Sequence, residues 1–290
     1  MIGSLDRRLH AYRADLADEK LKGRVKAGTF TEGQLYHVNA PVMDLRREPD
    51  LKSGIDTQLL FGDRVRLFDA ANGWAWLQSA RDDYVGYALK KQLRKTTRNT
   101  RPHTHQISVT RSFRYPQADM KVPAIDCLSL GSGLAVVGET ETRGTRYSEL
   151  QDGSFVISRH LDPIDMPMDD YVSAAEMLLH SPYLWGGTSA FGIDCSGLVQ
   201  LSMRMTGKQV LRDTDMQAHS IGEELGFAAM DGRLQRGDLI FWKGHVGIMC
   251  DAETIIHANG HTMSVATERL EDAIERIGYL YGFPTTLRRP

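Results

Sequence analysis

The sequence predicts an α+β protein in which two small all-β modules precede a mixed domain of helices and antiparallel strands. Three observations carry that prediction. Between about 30 and 95 the apolar residues come in short runs broken by turns: Leu59-Leu60-Phe61, Arg64-Val65-Arg66-Leu67, Trp74-Ala75-Trp76-Leu77 and Val85-Gly86-Tyr87-Ala88-Leu89. A related pattern returns beyond a basic linker at Lys95–Pro102. Near residue 163 the character changes again, and helical spacing appears.

Taken in order, the first element is a helix over 5–22, with Leu5, Leu9, Tyr12 and Leu16 on one stripe and Gly23 as its stop, in a segment spanning 1–29. The first β module follows at 30–97. The second, at 103–162, matches it loosely. Leu59–Val65 has its counterpart in Leu130–Val136, Asp82–Tyr87 in Gln151–Val156, and Lys91-Gln92-Leu93 in Arg159-His160-Leu161. The last domain is expected at 163–290. It opens with a helix capped by Asp169, whose inner face carries Tyr171, Ala174, Ala175 and Leu178 and which ends before Pro182.

Composition removes several classes of function. The 35 basic and 37 acidic residues nearly cancel, so no basic excess points to nucleic acid or an anionic membrane. No stretch approaches the roughly 20 apolar residues that span a bilayer. The N-terminus lacks the apolar centre of a secretory leader, so a cytoplasmic protein is expected. Three cysteines without a C-x-x-C pair suggest neither a disulfide framework nor structural zinc. Cys127 and Cys250 read as buried, inert residues. His103-Thr104-His105 falls in a linker and reads as exposed. With no phosphate loop or dinucleotide motif, no cofactor and no metal are expected. The oligomeric state is open.

Cys195 stands apart by context. Asp194 is a natural N-cap for a helix whose face is Leu198, Val199, Ser202, Met203 and Thr206 and whose stop is Gly207. Cys195 then lies in the first turn, where free N–H groups and the helix dipole favour a thiolate and suit an oxyanion. Gly186, Gly187 and Gly192 allow close approach of a ligand. Two strands, His245–Cys250 and Thr254–His257, supply imidazoles. A hairpin centred on Asp251 sets His245 opposite His257, and one centred on Ala252 offsets them by two. Either register leaves both on one face. His245 can then serve as the base for Cys195 while His257 orients it. Cys and His are also zinc ligands, but no further ligand stands in a suggestive place.

These motifs resemble the NlpC-type cysteine peptidases, papain-like enzymes that cleave bacterial cell-wall peptides. The resemblance covers about 165 to 284 through Tyr183-x-Trp185-Gly186-Gly187, Asp194-Cys195-Ser196-Gly197, Arg236-Gly237-Asp238-Leu239, His245-Val246-Gly247-Ile248 and Ile256-His257-Ala258. The N-terminal modules are similar to bacterial SH3-type barrels, the first more closely through Gly73–Leu77 and Asp83–Tyr87. The pairing resembles the family's dipeptidyl-peptidase members. It implies hydrolysis of murein-derived short peptides between γ-linked D-glutamate and a diamino acid, with a free N-terminal L-alanine. It further implies that Asp213 holds the substrate ammonium, with Thr214 where serine is common. Tyr183, Trp185, Asp194 and Ser196 would shape the cleft, and Tyr84 of the first module would close its far end. Two other readings stay open: an inactive peptide- or glycan-binding protein, and an amidase or acyltransferase on a non-wall substrate.

Overall fold

The computed structural model describes residues 5–290, and the chain divides between Met166 and Pro167 into two units. Residues 1–4, with which the N-terminal segment begins, lie outside the described residues. The division falls later than the expected 163 because Leu161–Pro163 is the last strand of the first unit, paired with His105–Ile107.

The expected helix over 5–22 does not form. Leu16–Asp18 is a strand parallel to Thr29–Thr31, followed by one 3-10 turn at Glu19–Leu21. The local polar chemistry explains this. Asp6 accepts from the Arg8 N–H at 2.8 Å, and Asp18 accepts from the Lys20 N–H at 3.1 Å. Such short-range bonds compete with helical ones. The apolar residues pack along the first module instead, with Ala11 and Leu16 against Phe68 and Trp76. Arg13 stacks over Trp76 at 4.4 Å and pairs with Asp69 at 2.8 Å.

The first module is one seven-stranded antiparallel sheet that runs from an end strand at Ile55–Leu60 to another at Leu93–Lys95. Bulges at Leu45/Arg46 and Leu67/Asp69 bend it. Its core holds Val38, Met43, Leu45, Leu59, Val65, Leu77 and Tyr84. Asn72-Gly73, both at positive φ, make the tight turn between Arg64–Ala71 and Trp74–Ser79. The second module builds a five-stranded and a three-stranded sheet over Ile107, Leu128, Leu134, Leu150 and Val156.

The repeat is visible in the backbone, at a register that differs from the sequence reading. The Gly62 N–H donates to Val38 O at 2.9 Å, and the Gly131 N–H to Ile107 O at 2.9 Å. Likewise the Asn39 N–H donates to Gln92 O at 2.7 Å, and the Ser108 N–H to His160 O at 3.0 Å. Gly131, rather than Gly133, is therefore the counterpart of Gly62. Gly133 is spent elsewhere: a Cβ there would lie 2.5 Å from His103, which is half-buried rather than exposed. Cys127 and Cys250 are likewise only half-buried.

The second unit opens with α1 (Tyr171–Glu176). Its cap is Asp170, not Asp169, because the Asp170 carboxylate accepts from the N–H groups of Val172 and Ser173. Arg236 grips both ends of that helix, pairing with Asp170 at 2.7 Å and Glu176 at 2.8 Å. Next come α2 (Cys195–Met205) and α3 (Thr214–Ser220). A six-stranded antiparallel sheet follows, in the order Glu223–Leu225, Thr286–Arg289, Leu239–Trp242, His245–Met249, Thr254–Asn259, Ser264–Arg269. α2 packs on the His245–Met249 strand and is buried along nearly its whole length. α4 (Leu270–Tyr281) closes the core around Ile240, Trp242, Ile255 and Ile277. Among the described residues no helix is long and apolar enough to cross a membrane.

Candidate active site

Asp194 starts α2 and does more besides. One carboxylate oxygen accepts from the Gly197 N–H at 2.8 Å, which is the expected cap. The other accepts from the Gly186 N–H at 2.9 Å and from Arg212 Nη2 at 2.6 Å. Arg212 is 1% exposed and also donates to Ser196 Oγ at 2.7 Å. Gln217 reaches the Ser196 carbonyl at 3.0 Å. The segment 211–217 is thus tied to the first turn of α2.

The glycines expected to admit a ligand admit the chain itself. A Cβ on Gly197 would sit 2.2 Å from the Gly187 carbonyl oxygen, and one on Gly187 would sit 2.5 Å from that of Gly192. The Tyr183–Gly187 turn is pressed directly onto the helix start.

Cys195 is 6% exposed at that start. The backbone N–H groups of Val246 and Ser196 favour its thiolate, but burial and the neighbouring Asp194 outweigh them and push the thiol up to about 11. The expected pull of the helix start toward a thiolate is therefore overridden by desolvation. His245 is shifted the opposite way: burial, with His257 and Arg276 nearby, brings it down to about 3. Both shifts favour the uncharged forms, thiol and imidazole.

The histidines lie side by side because of strand register. Ile248 pairs with Ile256 and Met249 with Ile255, the hairpin centred on Ala252, so the two rings share a face with an offset of two. His245 Nε2 is 2.8 Å from His257 Nδ1. His257 is fully buried, and its Nε2 is 2.7 Å from Glu268 Oε1. Arg276 of α4 donates to the same Glu268 oxygen. Burial raises Glu268, but the contacts with His257 and Arg276 prevail and hold it below the ordinary carboxylate range. Among the described residues no cluster of His, Cys, Asp and Glu could hold a metal ion.

The remaining candidates separate into three groups. Tyr183 is half-buried, and burial with the nearby Cys195 raises its hydroxyl well above the usual tyrosine range. Trp185 is 70% exposed. Asp194 and Ser196 are buried and bonded to Arg212, so they support the site from beneath rather than lining it. Asp213 is the N-cap residue of α3, without a side-chain cap bond, and Thr214 is that helix's first residue. Tyr84 belongs to the first unit, within the core of its module. Sequence reasoning missed Glu268 and Arg276 and gave Arg212 no role. Glu268 had one available signal: His257 pairs with Ala266 in the next hairpin, which sets residue 268 diagonally on the same face.

Comparison with known proteins follows the same division. Residues 45–93 match the bacterial dipeptidyl-peptidase SH3 domain, and residues 180–276 match the NlpC/P60 family. The chain is 26% identical over 239 residues to dipeptidyl-peptidase 6 of Lysinibacillus sphaericus, covering 77% of this chain and 86% of that protein. It is 28% identical over 233 residues to the γ-D-glutamyl-L-lysine dipeptidyl-peptidase of Bacillus subtilis strain 168, covering 73% and 76%. The crystal structure of an NlpC/P60 family protein from Bacillus cereus ATCC 10987 shares the fold, with a TM-score of 0.73 at 21% identity over 88% of this chain and 99% of that one.

Proposed function

We propose that this chain, in which residues 180–276 match the NlpC/P60 family and residues 45–93 the bacterial dipeptidyl-peptidase SH3 domain, is a cysteine peptidase that cleaves murein-derived peptides between γ-D-glutamate and a diamino acid. The observation that carries the proposal is the hydrogen-bonded pair His245–His257 on the two adjacent strands against which the helix bearing Cys195 packs. Cys195 Sγ attacks the carbonyl carbon while its proton passes to His245. N–H groups at the start of α2 receive the developing oxyanion. Collapse of the tetrahedral species breaks the amide bond, and His245 returns the proton to the departing amine. Water, deprotonated by the same imidazole, then hydrolyses the thioester, releasing L-Ala-γ-D-Glu and returning the thiol. Burial, which favours the uncharged thiol and imidazole, supports a nucleophile that forms as the proton moves from Cys195 to His245.

The free N-terminal L-alanine is assigned to Asp213. Its neighbour Arg212 is bonded to Asp194 and Ser196 beside the nucleophile. A carboxylate at that point meets the cost of desolvating an ammonium group. Tyr183 and the exposed Trp185 form the walls. Residues 103–162 are read as a second, looser SH3-like module, supported by the hydrogen bonds it shares with the first.

Mass spectrometry after incubation with L-Ala-γ-D-Glu-diaminopimelate tests the reading. Release of L-Ala-γ-D-Glu and free diaminopimelate by the wild type, absent with Cys195→Ala, is expected. An intact peptide together with a reactive Cys195 would redirect the chemistry to another acyl substrate.

A further inference from the structure

We propose that Glu268 is a positioning residue that sets, through His257, which nitrogen of His245 is the base; this rests on the proposed cysteine mechanism. The argument is an inventory of donors and acceptors. An ionised carboxylate only accepts, so His257 Nε2, 2.7 Å from Glu268 Oε1, carries a hydrogen. With that hydrogen on Nε2, the Nδ1 of the His257 imidazole is left to accept. That nitrogen lies 2.8 Å from His245 Nε2, so His245 Nε2 is the donor. A neutral imidazole with hydrogen on Nε2 has its free lone pair on Nδ1, the only ring nitrogen left to take the Cys195 proton. The opposite tautomer would place the hydrogen on Nδ1 and leave no free lone pair to take that proton.

Arg276 completes the device. It donates to the same Oε1 that receives His257, so that oxygen accepts from two sides and the carboxylate is held in one orientation. When His245 takes the proton from Cys195, the negative charge at the far end of the chain stabilises the imidazolium across His257. The arrangement spans three elements: the His245–Met249 strand, the hairpin carrying His257 and Glu268, and α4.

Two substitutions separate orientation from charge. In Glu268→Gln the amide oxygen can still accept from both His257 and Arg276, whereas Glu268→Ala removes the acceptor. The first readout is imidazole ¹⁵N NMR of the histidine-labelled enzyme, which reports tautomers without any substrate. Wild-type His245 is expected to carry its hydrogen on Nε2, and Glu268→Ala to show a mixture. The second readout is alkylation of Cys195 by iodoacetamide at neutral pH. Glu268→Ala should slow it about 10-fold or more, within the roughly 10²–10⁴-fold that a positioned base supplies, and Glu268→Gln, which keeps the acceptor and loses the charge, should lose clearly less. A wild-type His245 protonated on Nδ1, or unchanged alkylation in a folded Glu268→Ala enzyme, would overturn the assignment. Neither readout uses the murein peptide, so a wrong substrate and a wrong tautomer are told apart. The wild-type spectrum decides the matter even if Glu268→Ala does not fold.

Discussion

Arg212 and Asp194 form an ion pair at 2.6 Å with side chains 1% and 10% exposed, and that pair joins the start of the nucleophile's helix to the segment bearing Asp213. Its position makes Arg212 a structural tie with functional reach. Removing one partner of a buried pair leaves an uncompensated charge, typically at a cost of about 3–5 kcal/mol. Arg212→Leu should lower the denaturation midpoint on that scale and weaken substrate turnover. Restoring charge with Arg212→Lys should recover only part of it, since one ammonium does not reproduce the two divergent bonds to Asp194 and Ser196. Urea titration with both variants checks this.

Gly197→Ala probes the contact between the helix start and the Tyr183–Gly187 turn. The added methyl would meet the Gly187 carbonyl oxygen at 2.2 Å, and backbone cannot yield as a flexible side chain does. The expected result is a loss of activity far larger than the loss of far-UV helical signal, because the turn is displaced from Cys195 while the fold survives. Activity near wild type would contradict the close approach.

Asp213→Asn should reduce kcat/KM on a free-amine peptide about 10-fold or more, the equivalent of roughly 1.4 kcal/mol. The N-acetylated peptide should be affected far less. Equal losses on both substrates would remove Asp213 from amine recognition.

The buried imidazole of His245 predicts a pH dependence of stability. Once unfolded, it binds a proton near pH 6.5, whereas the folded protein resists until about pH 3. Between those values the unfolded state holds more protons, so stability falls as the pH drops, by up to about 1.4 kcal/mol per pH unit. Carboxylates held low, such as Glu268 and Asp170, add their own loss only on further acidification. Comparing urea midpoints at pH 6.5 and 4.5 for wild type and His245→Gln isolates the effect: the variant should show the shallower decline.

Trp185, 70% exposed beside the nucleophile's turn, should matter to substrate and not to the fold. Trp185→Ala is expected to shift stability by no more than about 0.5 kcal/mol while raising KM several-fold. A large drop in melting temperature would reassign it as a packing residue.

What was legible in the sequence depended on whether local chemistry and long-range packing agreed. Asp194, Cys195 and the two histidines were readable because a cap and a period-2 strand are local signals. Even the hairpin geometry was narrowed to two registers, of which the Ala252-centred one occurs. The helix over 5–22 was misread because its apolar spacing serves contact with Phe68 and Trp76, which lie far along the chain. Two adjacent acids, Asp169 and Asp170, hid the true cap of α1. Gly133 drew the repeat register away from Gly131 because both glycines are needed, one for a turn and one for space beside His103. Glu268 stayed hidden since its proximity to His257 depends on the register set by the turn between Asn259 and Ser264, where Asn259 accepts from the N–H groups of His261 and Thr262.

The burial that raises the Cys195 thiol also bears on durability. Peroxides and other electrophilic oxidants consume thiolates, climbing from sulfenic to irreversible sulfonic acid. A thiol raised by burial and 6% exposed meets them more slowly than an exposed thiolate would. The burial that opposes ionisation of Cys195 thus also slows its loss to oxidants.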